Sequence, residues 1–268
     1  MTNVIGFYNN GHLNARGTST AIYDYAYYNK LLYNNTSIII YDKYNTLNDN
    51  LVIKKFEQEF KCYAYDNIED INIIIKNENI QYLYCLIYGT ITIPITDQCP
   101  ILNHAVFEIQ PHGYKYASVS KYLSNKYNNN VDYIPHMINL PICYDDFKII
   151  LNIPKDAIVF GRYGGYNEFN IDYVHKAIIE HITLDNNTYF IFANTNNFYT
   201  HPRIIYLDRI VDLIDKVKFI NTCDAMIHAR SEGETFGLSI GEFSSKNKPV
   251  ITSISTIDNA HIYIYVWC

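Results

Sequence analysis

Several features that mark other protein classes are missing from this 268-residue chain. Its six cysteines form no C-x-x-C pair and fit neither a zinc site nor a small disulfide-rich domain, so we expect free thiols. The first residues lack the apolar core of about 7–15 residues that a signal peptide needs, and no segment approaches the ~20 apolar residues of a membrane span. These absences predict a soluble, cytoplasmic protein without a transmembrane segment and leave peripheral association with a membrane open.

Charge is also scarce. Charged residues make up 18% of the chain, below the roughly 25% usual for soluble domains, and 27 acidic residues against 21 basic ones leave a net charge of −6. Because nucleic acids are polyanions, an acidic chain without a basic stripe is a poor match for them, and we expect no nucleic-acid partner. Hydrophobic residues reach 49%, which excludes a disordered chain and indicates a globular one.

Two nucleotide-binding motifs are absent as well. No G-x-x-x-x-G-K-[ST] sequence occurs, which excludes a P-loop ATPase. The sequence GRYGG at residues 161–165 lacks the G-x-G-x-x-G spacing of a dinucleotide-binding turn. Any nucleotide site in this chain must therefore use a different arrangement.

What the first half does contain is an alternation of short apolar runs and helical segments. The runs predict strands at residues 4–8, 37–41, 61–65, 82–88, 101–107 and 117–120. Helices are predicted at 50–60, 68–77 and 121–126, after a first helix that begins at Thr18 or Ser19, since hydroxyl side chains favour the N-cap. This alternation is typical of parallel βαβ units and predicts an α/β fold.

A segment of different composition divides the chain. Residues 134–154 contain Pro135, Pro141 and Pro154 and show weak periodicity, so we interpret the region as an interdomain connector. The alternation then resumes, with strands at 157–160, 188–193, 203–207, 224–229 and 249–252 and helices at 172–183, 209–220 and 236–246. We therefore predict two Rossmann-like domains, over residues 1–135 and 155–268, with a connector over 136–154.

The most informative segment is residues 224–251, DAMIHARSEGETFGLSIGEFSSKNKPVI. A strand leads into a glycine-bearing turn, and a helix is expected to begin near Thr235. The N–H groups of Phe236, Gly237 and Leu238 would lie in its first turn, where unpaired donors and the helix dipole favour a phosphate. Gly233 and Gly237 would keep side chains away from that approach.

Two glutamates flank the predicted phosphate position. Glu234 and Glu242 would lie about 12 Å apart along one side of the helix, at ~1.5 Å per residue. With Glu242 accepting ribose hydroxyls and Glu234 accepting sugar hydroxyls, the segment suits a nucleoside diphosphate sugar. The alternative interpretation is a solvent-exposed helix with two surface glutamates.

The stretch SEGETFGLSIGEF at residues 231–243 resembles the E-x7-E signature of group-1 (family four) retaining glycosyltransferases. Residues 159–171, VFGRYGGYNEFNI, resemble the start of that family's C-terminal domain, which places Arg162 on the donor phosphates. Residues 118–123 resemble the end of its N-terminal domain, and residues 131–141 resemble its interdomain link. The resemblance covers about residues 100–258 and extends to the first hundred residues only by architecture.

The family resemblance implies a GT-B fold, with two Rossmann-like domains that face each other across a cleft. It implies transfer of a sugar from a nucleoside diphosphate sugar to an acceptor hydroxyl with retention of configuration. The N-terminal domain would be the acceptor side, and the C-terminal domain would bind the nucleotide-sugar. The acceptor (glycan, protein or lipid) is not indicated.

The resemblance also implies site residues in the N-terminal domain. His104 corresponds in position to a family histidine that holds sugar hydroxyls near the anomeric carbon, so His104 and Glu234 are the candidate catalytic residues. His112 is the competing histidine. Gly17 and Thr18 follow the first strand, in the loop that lines the cleft of GT-B enzymes.

No cofactor is implied beyond the nucleotide-sugar, which is a co-substrate. In GT-B enzymes the helix dipole and an arginine, here Arg162, stabilise the leaving diphosphate, so no metal is needed. The absence of any D-x-D sequence disfavours the metal-dependent GT-A type. Arg230, just ahead of the glutamates, is a further candidate phosphate ligand, and His228 is expected to face the core.

Two departures from the family pattern bear on activity. Many members carry a lysine a few residues after the phosphate-binding arginine, but here GGYNEFN follows, so Gly164 and Gly165 are expected to offer backbone N–H groups instead. Family C-terminal domains also continue past the strand predicted at 249–252, whereas this chain ends in IYIYVWC, which predicts a truncated product. Two alternatives stay open: an inactive nucleotide-sugar-binding relative, and an epimerase or phosphorylase of the same fold.

Overall fold

The computed structural model describes residues 2–91, 95–126 and 131–263. The chain divides into two compact units, Met1–Met137 and Ile138–Cys268. Each is an α/β unit with a parallel sheet, as the alternation of strands and helices predicts. None of the helices within the described residues combines the length and the apolar character that crossing a membrane requires.

The first unit contains a seven-stranded sheet in the order β3-β2-β1-β4-β5-β6-β7, with every neighbouring pair parallel. Its strands are β1 (Val4–Asn9), β2 (Thr36–Asp42), β3 (Lys61–Tyr65), β4 (Tyr82–Ile87), β5 (Ile101–Ala105), β6 (Lys115–Ser118) and β7 (Asp132–Tyr133). Its helices are α1 (Gly17–Tyr33), α2 (Asn50–Glu59), α3 (Asp70–Glu78) and α4 (Lys121–Lys126). The strand order reverses between β1 and β4, which is where open α/β sheets bind ligands.

The core of this unit follows from its apolar runs. Strand β2 has buried residues at every position from 37 to 41, as expected of a parallel strand covered on both faces. On one face Ile38 and Ile40 pack with Ile71, Ile74 and Ile75 of α3. The spacing of those α3 residues places them on one side of the helix, so burial of that side fixes α3 against the sheet.

The second unit contains a five-stranded sheet in the order β10-β9-β8-β11-β13 and a separate two-stranded pair, β12-β14. Its strands are β8 (Ile158–Tyr163), β9 (Thr188–Ala193), β10 (Ile204–Leu207), β11 (Ala225–Ile227), β12 (Gly233–Glu234), β13 (Val250–Ile251) and β14 (Asp258–Asn259). Its helices are α5 (Asp172–Leu184), α6 (Leu213–Thr222), α7 (Leu238–Ser245) and α8 (Ala260–Tyr263). The carboxyl end of β8, the central strand, supplies the first residues of the candidate site.

The structure corrects three predicted helix starts. Helix α6 begins at Leu213, with Asp212 as its N-cap, instead of near residue 209. Helix α1 begins at Gly17, with Arg16 as its N-cap, because the Ser19 hydroxyl accepts a hydrogen bond from the Asn14 N–H inside the first turn instead of capping the helix. Helix α7 begins at Leu238 instead of near Thr235.

The later start of α7 has two physical causes. Residues Gly233 and Glu234 pair with Asp258 and Asn259 as short strands, which holds them in an extended conformation. Gly237 then adopts a left-handed conformation, with φ +89°, as the N-cap. Glu234 is therefore not part of the helix, and the separation predicted between Glu234 and Glu242 along one side of the helix does not apply.

The remaining differences involve short elements. Strands β7, β12 and β14 and helix α8 were not predicted, because two to four residues carry no readable periodicity. The domain limits 1–135, 136–154 and 155–268 stay predictions. The end of the segment IYIYVWC, from residue 264 onward, lies outside the described residues, so the predicted truncation also stays a prediction.

Candidate functional site

The carboxyl end of β8 supplies Arg162, whose side chain is buried. Its Nη1 donates to Thr195 Oγ1 at 2.5 Å, and its Nη2 donates to the Gly165 carbonyl oxygen at 3.1 Å. Burial lowers the pKa of Arg162 to about 10, although the carboxylates of Glu168 and Glu234 favour its charged form. The guanidinium therefore remains a cation at neutral pH, and Glu234 lies within its electrostatic reach.

Both glycines after Arg162 leave room for neighbouring charged side chains. A Cβ at Gly164 would lie 2.6 Å from Nη2 of Arg162, and one at Gly165 would lie 2.4 Å from the carboxyl carbon of Glu168. The N–H of Gly165 donates to Glu168 Oε2 at 3.0 Å. In this structure the Gly165 N–H that was expected to face phosphates is thus paired with a carboxylate.

Glu234, on β12, is held by two donors. His228 Nε2 lies 3.2 Å from Glu234 Oε1, and Arg230 Nη1 donates to Oε2 at 3.0 Å. Burial by itself would raise the pKa of Glu234, but the contacts with His228 and Arg230 outweigh it and hold the pKa below its ordinary value. The carboxylate is therefore ionised at neutral pH, and 18% of the side chain is exposed.

Arg230 contacts carboxylates on three sides. Besides its bond to Glu234, its Nη2 lies 3.6 Å from Glu168 Oε1 and its Nε lies 3.8 Å from Glu232 Oε2. Burial opposes its charge, yet Glu234 and Glu168 raise the pKa of Arg230 above its ordinary value. The sequence offered Arg230 as a phosphate ligand, whereas here it neutralises carboxylates, Glu234 above all.

His228 is buried, as expected, but it does more than fill the core. Its Nδ1 lies 2.9 Å from Thr252 Oγ1 while its Nε2 contacts Glu234. The ring of His261 packs against it with the centroids 5.2 Å apart. These contacts fix the imidazole and, through it, one oxygen of Glu234.

Glu242, in the second turn of α7, is buried, and each of its oxygens accepts one hydrogen bond. Lys216 Nζ donates to Oε1 at 2.8 Å, and the Tyr163 hydroxyl donates to Oε2 at 2.5 Å. Burial, followed by the negative charge of Glu242, raises the pKa of Tyr163 far above its ordinary value, so the phenol stays protonated. Since only 4% of the Glu242 side chain is exposed, the alternative of surface glutamates is wrong for this residue.

Lys216 and Tyr163 were missed by sequence reasoning, although α6 carries a signal for one of them. Lys216 lies three and four residues before the buried Phe219 and Ile220, which puts it on the core face of the helix. A lysine on a core face needs a buried partner. Tyr163 directly follows Arg162, and the alternation of side chains along a strand directs it to the other face, against Phe219 and Phe243.

The predicted phosphate position at α7 is shifted by the corrected helix start. Phe236 and Gly237 precede the helix, and Leu238 is its first residue. The N–H of Gly241 donates to the carbonyl of Gly237, so the N–H groups of Leu238, Ser239 and Ile240 form the first turn, which has no carbonyl of its own helix to bond. Strand β12 ends at Glu234, and Gly237 caps the helix in a left-handed conformation. The start of α7 at Leu238 therefore follows Glu234 closely in the chain.

In the first unit, His104 lies on β5 within a cluster of rings. Its Nδ1 lies 2.5 Å from the Tyr84 hydroxyl, and the ring centroids of Tyr25 and His136 are each 5.6 Å away. Among the described residues its Nε2 has no hydrogen-bond partner. Burial lowers the pKa of His104 to about 4 and that of His136 to about 3, so both imidazoles are neutral at pH 7.

The other predicted residues of the first unit are less constrained. His112 is partly exposed, with its Nδ1 2.7 Å from the Gln110 carbonyl oxygen. Gly17 is exposed as the first residue of α1, and the Thr18 hydroxyl accepts a hydrogen bond from the Asn9 amide at 3.4 Å. Within the described ranges, no three His, Cys, Asp or Glu side chains come together in a way that could hold a metal ion.

No protein-family model and no curated protein sequence matches this chain. Several solved structures resemble it, among them a glycosyltransferase from Rickettsia africae ESF-5, with a TM-score of 0.65 and 17% identity over 98% of this chain and 82% of that one. WaaG, a glycosyltransferase involved in lipopolysaccharide biosynthesis, gives a TM-score of 0.62 at 9% identity, over 97% and 83% of the two chains.

A putative UDP-N-acetylglucosamine 2-epimerase from Listeria monocytogenes is similar to a comparable degree, with a TM-score of 0.58 at 13% identity over 94% of this chain and 79% of that one. Identities this low establish the fold and leave the activity to the site residues. The chain is an α/β protein of Rossmann-like units that has the fold of GT-B glycosyltransferases.

Proposed function

We propose that this chain transfers a sugar from a nucleoside diphosphate sugar to an acceptor hydroxyl, with retention of configuration and without a metal. The observation behind this proposal is that both glutamates of the E-x7-E motif are acceptors held by protein donors. His228 and Arg230 hold Glu234, and a second pair of donors holds Glu242. Carboxylates fixed in this way suit the recognition of hydroxyl groups.

The proposed roles follow the position of each carboxylate. Glu242 accepts the ribose hydroxyls, and the less buried Glu234 accepts hydroxyls of the transferred sugar. The diphosphate binds near Arg162 and the N–H groups at the start of α7, where a cation and a helix dipole stabilise the departing charge. The bond from the anomeric carbon to phosphate breaks, the acceptor oxygen bonds to that carbon on the same face, and the acceptor proton leaves with the diphosphate.

His104 is proposed to hydrogen-bond sugar hydroxyls near the anomeric carbon. Its Nε2 is buried and forms no geometric hydrogen bond among the described residues, although the backbone at Ser118 and Ile134 interacts with the ring. Because burial lowers the pKa of His104 to about 4, the ring acts as a neutral polar group and not as a cation. We therefore expect His104→Ala to lower turnover more than nucleotide affinity.

Thermal unfolding in the presence of UDP, GDP and their sugars tests the proposal. A ligand at a hundredfold excess over its Kd stabilises the native state by ~2.7 kcal/mol, enough for a clear shift in Tm. Glu242→Ala should abolish most of that shift for the ligand that gives it. Activity that EDTA abolishes and Mn²⁺ restores would contradict the metal-free mechanism, and inversion at the anomeric carbon in the product would contradict retention.

A second candidate is an epimerase, because the Listeria structure shares the fold at a TM-score close to those of the glycosyltransferases. Incubation with UDP-N-acetylglucosamine alone separates the two. An epimerase converts it to an isomer without an acceptor, whereas a glycosyltransferase needs an acceptor to release UDP. Binding without either reaction would identify an inactive relative.

A further inference from the structure

The carboxylate of Glu242 has an unusual set of partners for a residue at a ligand site. Its two donors come from separate elements, Lys216 from α6 and Tyr163 from the end of β8. Each donor engages a different oxygen. The side chains of Lys216 and Glu242 are only 10% and 4% exposed, so water competes weakly for either group.

The number of unfilled acceptor positions matters here. An ionised carboxylate has about four lone-pair positions, two on each oxygen. Among the residues that the structure describes, Lys216 fills one on Oε1 and Tyr163 fills one on Oε2, which leaves one position on each oxygen. A ribose presents two adjacent hydroxyl donors, so it can satisfy both remaining positions at once, whereas a 2′-deoxyribose can satisfy only one.

Lys216 also fixes the charge and the orientation of Glu242. Its ammonium lies 5.5 Å from the centroid of the Tyr163 ring, so lysine, tyrosine and glutamate form one contact group. A buried carboxylate without a counter-ion either takes up a proton or turns toward water. A proton would replace one acceptor position with a donor, and rotation would misplace both oxygens.

We infer that Lys216 and Tyr163 are positioning residues that hold Glu242 with one free acceptor position on each oxygen, and that they thereby set selectivity for ribose over 2′-deoxyribose. The inference rests on the proposed function, which assigns the ribose to Glu242. It predicts that the two residues control the ratio of the affinity for a ribonucleotide to the affinity for its 2′-deoxy counterpart, and not merely the strength of binding.

The experiment measures the Kd of UDP and GDP and of their 2′-deoxy counterparts by calorimetry. The wild-type chain should prefer the ribonucleotide by about tenfold or more, since a hydrogen bond to a charged group is worth about 1.5–3 kcal/mol. Lys216→Met should bring the ratio close to one. Lys216→Arg keeps a cationic donor and should restore most of the preference.

Two further variants are measured, Tyr163→Phe to remove the second donor and Lys218→Met as a control. Tyr163→Phe removes one hydroxyl without removing a charge, and it should reduce the ratio several-fold. Lys218 lies on the same helix, two residues from Lys216, and pairs with Asp215 near the surface, so Lys218→Met should leave the ratio unchanged. This variant controls for the loss of a lysine from α6.

Two results would overturn the inference. If Lys216→Met and Tyr163→Phe weaken both nucleotides equally and keep the wild-type ratio, the contact group is structural only. Should Lys216→Met fail to fold, an unchanged ratio in Tyr163→Phe is sufficient to reject the inference. If the wild-type chain binds no ribonucleoside diphosphate, the proposed function fails together with it.

Discussion

The two units bury ionisable side chains in opposite ways. The first unit gathers Tyr25, Tyr84, His104 and His136 in a cluster whose imidazoles are neutral, because burial lowers both of their pKa values. The second unit keeps Arg230 charged and balances it with three carboxylates. Since neutral rings need few partners while buried charges need many, the two clusters should respond differently to acid, to loss of a partner and to ligands.

The largest expected difference concerns acid. Burial lowers the pKa of His104 from 6.5 to about 4, so the unfolded chain binds this proton more tightly than the folded one. Above pH 6.5 His104 is neutral in both states and does not lower the free energy of unfolding. As the pH falls from 6.5 toward 4, protonation of the unfolded chain lowers that free energy by about 3 kcal/mol. His136 acts in the same direction.

The second unit should weaken less over the same pH range, although burial also lowers the pKa of His261. The pKa of Glu234 is held below its ordinary 4.5, so its contribution is complete above that pH and is lost only further into acid. Urea unfolding from pH 7.5 to 4.5, followed by hydrogen exchange in each unit, should show the first unit weaken first. His104→Gln should flatten part of that pH dependence, and equal weakening of both units would contradict the comparison.

The next effect is the loss of a charge. Arg230→Met removes the cation that three carboxylates share and leaves His228 as the side chain that still donates to Glu234. Breaking a buried pair costs 3–5 kcal/mol, but these side chains are 18–19% exposed, so we expect about 2 kcal/mol. Arg230→Lys should recover part of it. Urea unfolding at pH 7.5 measures both, and a variant as stable as wild type would show that the carboxylates are solvated without Arg230.

Ligand binding should separate the clusters as well. Arg162→Met removes a cation proposed to bind the diphosphate, and it should lower affinity for UDP about tenfold or more while affecting uridine much less. His104→Gln should leave the UDP affinity unchanged, since its cluster is neutral. Calorimetry with UDP and uridine measures the effect. Equal losses for both ligands in Arg162→Met would mean that Arg162 supports the fold and does not bind phosphate.

The charged cluster also shows how far a sequence alone leads. Short apolar runs locate the sheet strands well, because a parallel strand buried on both faces must be apolar at nearly every position, as residues 37–41 are. The E-x7-E motif identifies Glu234 and Glu242 as site candidates, and the structure gives both of them cationic or polar donors.

The partners of the two glutamates could not be predicted from the sequence. Lys216 meets Glu242 across 26 positions of sequence, and only the packing of α6 beside α7 brings them together. The start of α7 depends on two facts that no local pattern shows, the pairing of Gly233 with Asp258 and the left-handed Gly237. Motif spacing therefore yields candidate site residues, while the partners of those residues depend on tertiary contacts.

The smallest expected effect is the loss of a neutral hydrogen bond in the first unit. Tyr84→Phe removes the hydroxyl that lies 2.5 Å from His104 Nδ1 and leaves the ring packing of Tyr25 and His104 in place. A hydrogen bond between neutral groups contributes about 1 kcal/mol, and the unpaired imidazole nitrogen adds a similar penalty. We therefore expect a loss of about 1–2 kcal/mol in urea unfolding at pH 7.5, independent of salt because no charge is removed. Arg230→Met, in contrast, should lose less as salt screens the carboxylates left behind. If the cost of Tyr84→Phe varies with salt, the first cluster is not neutral and the contrast between the two units fails.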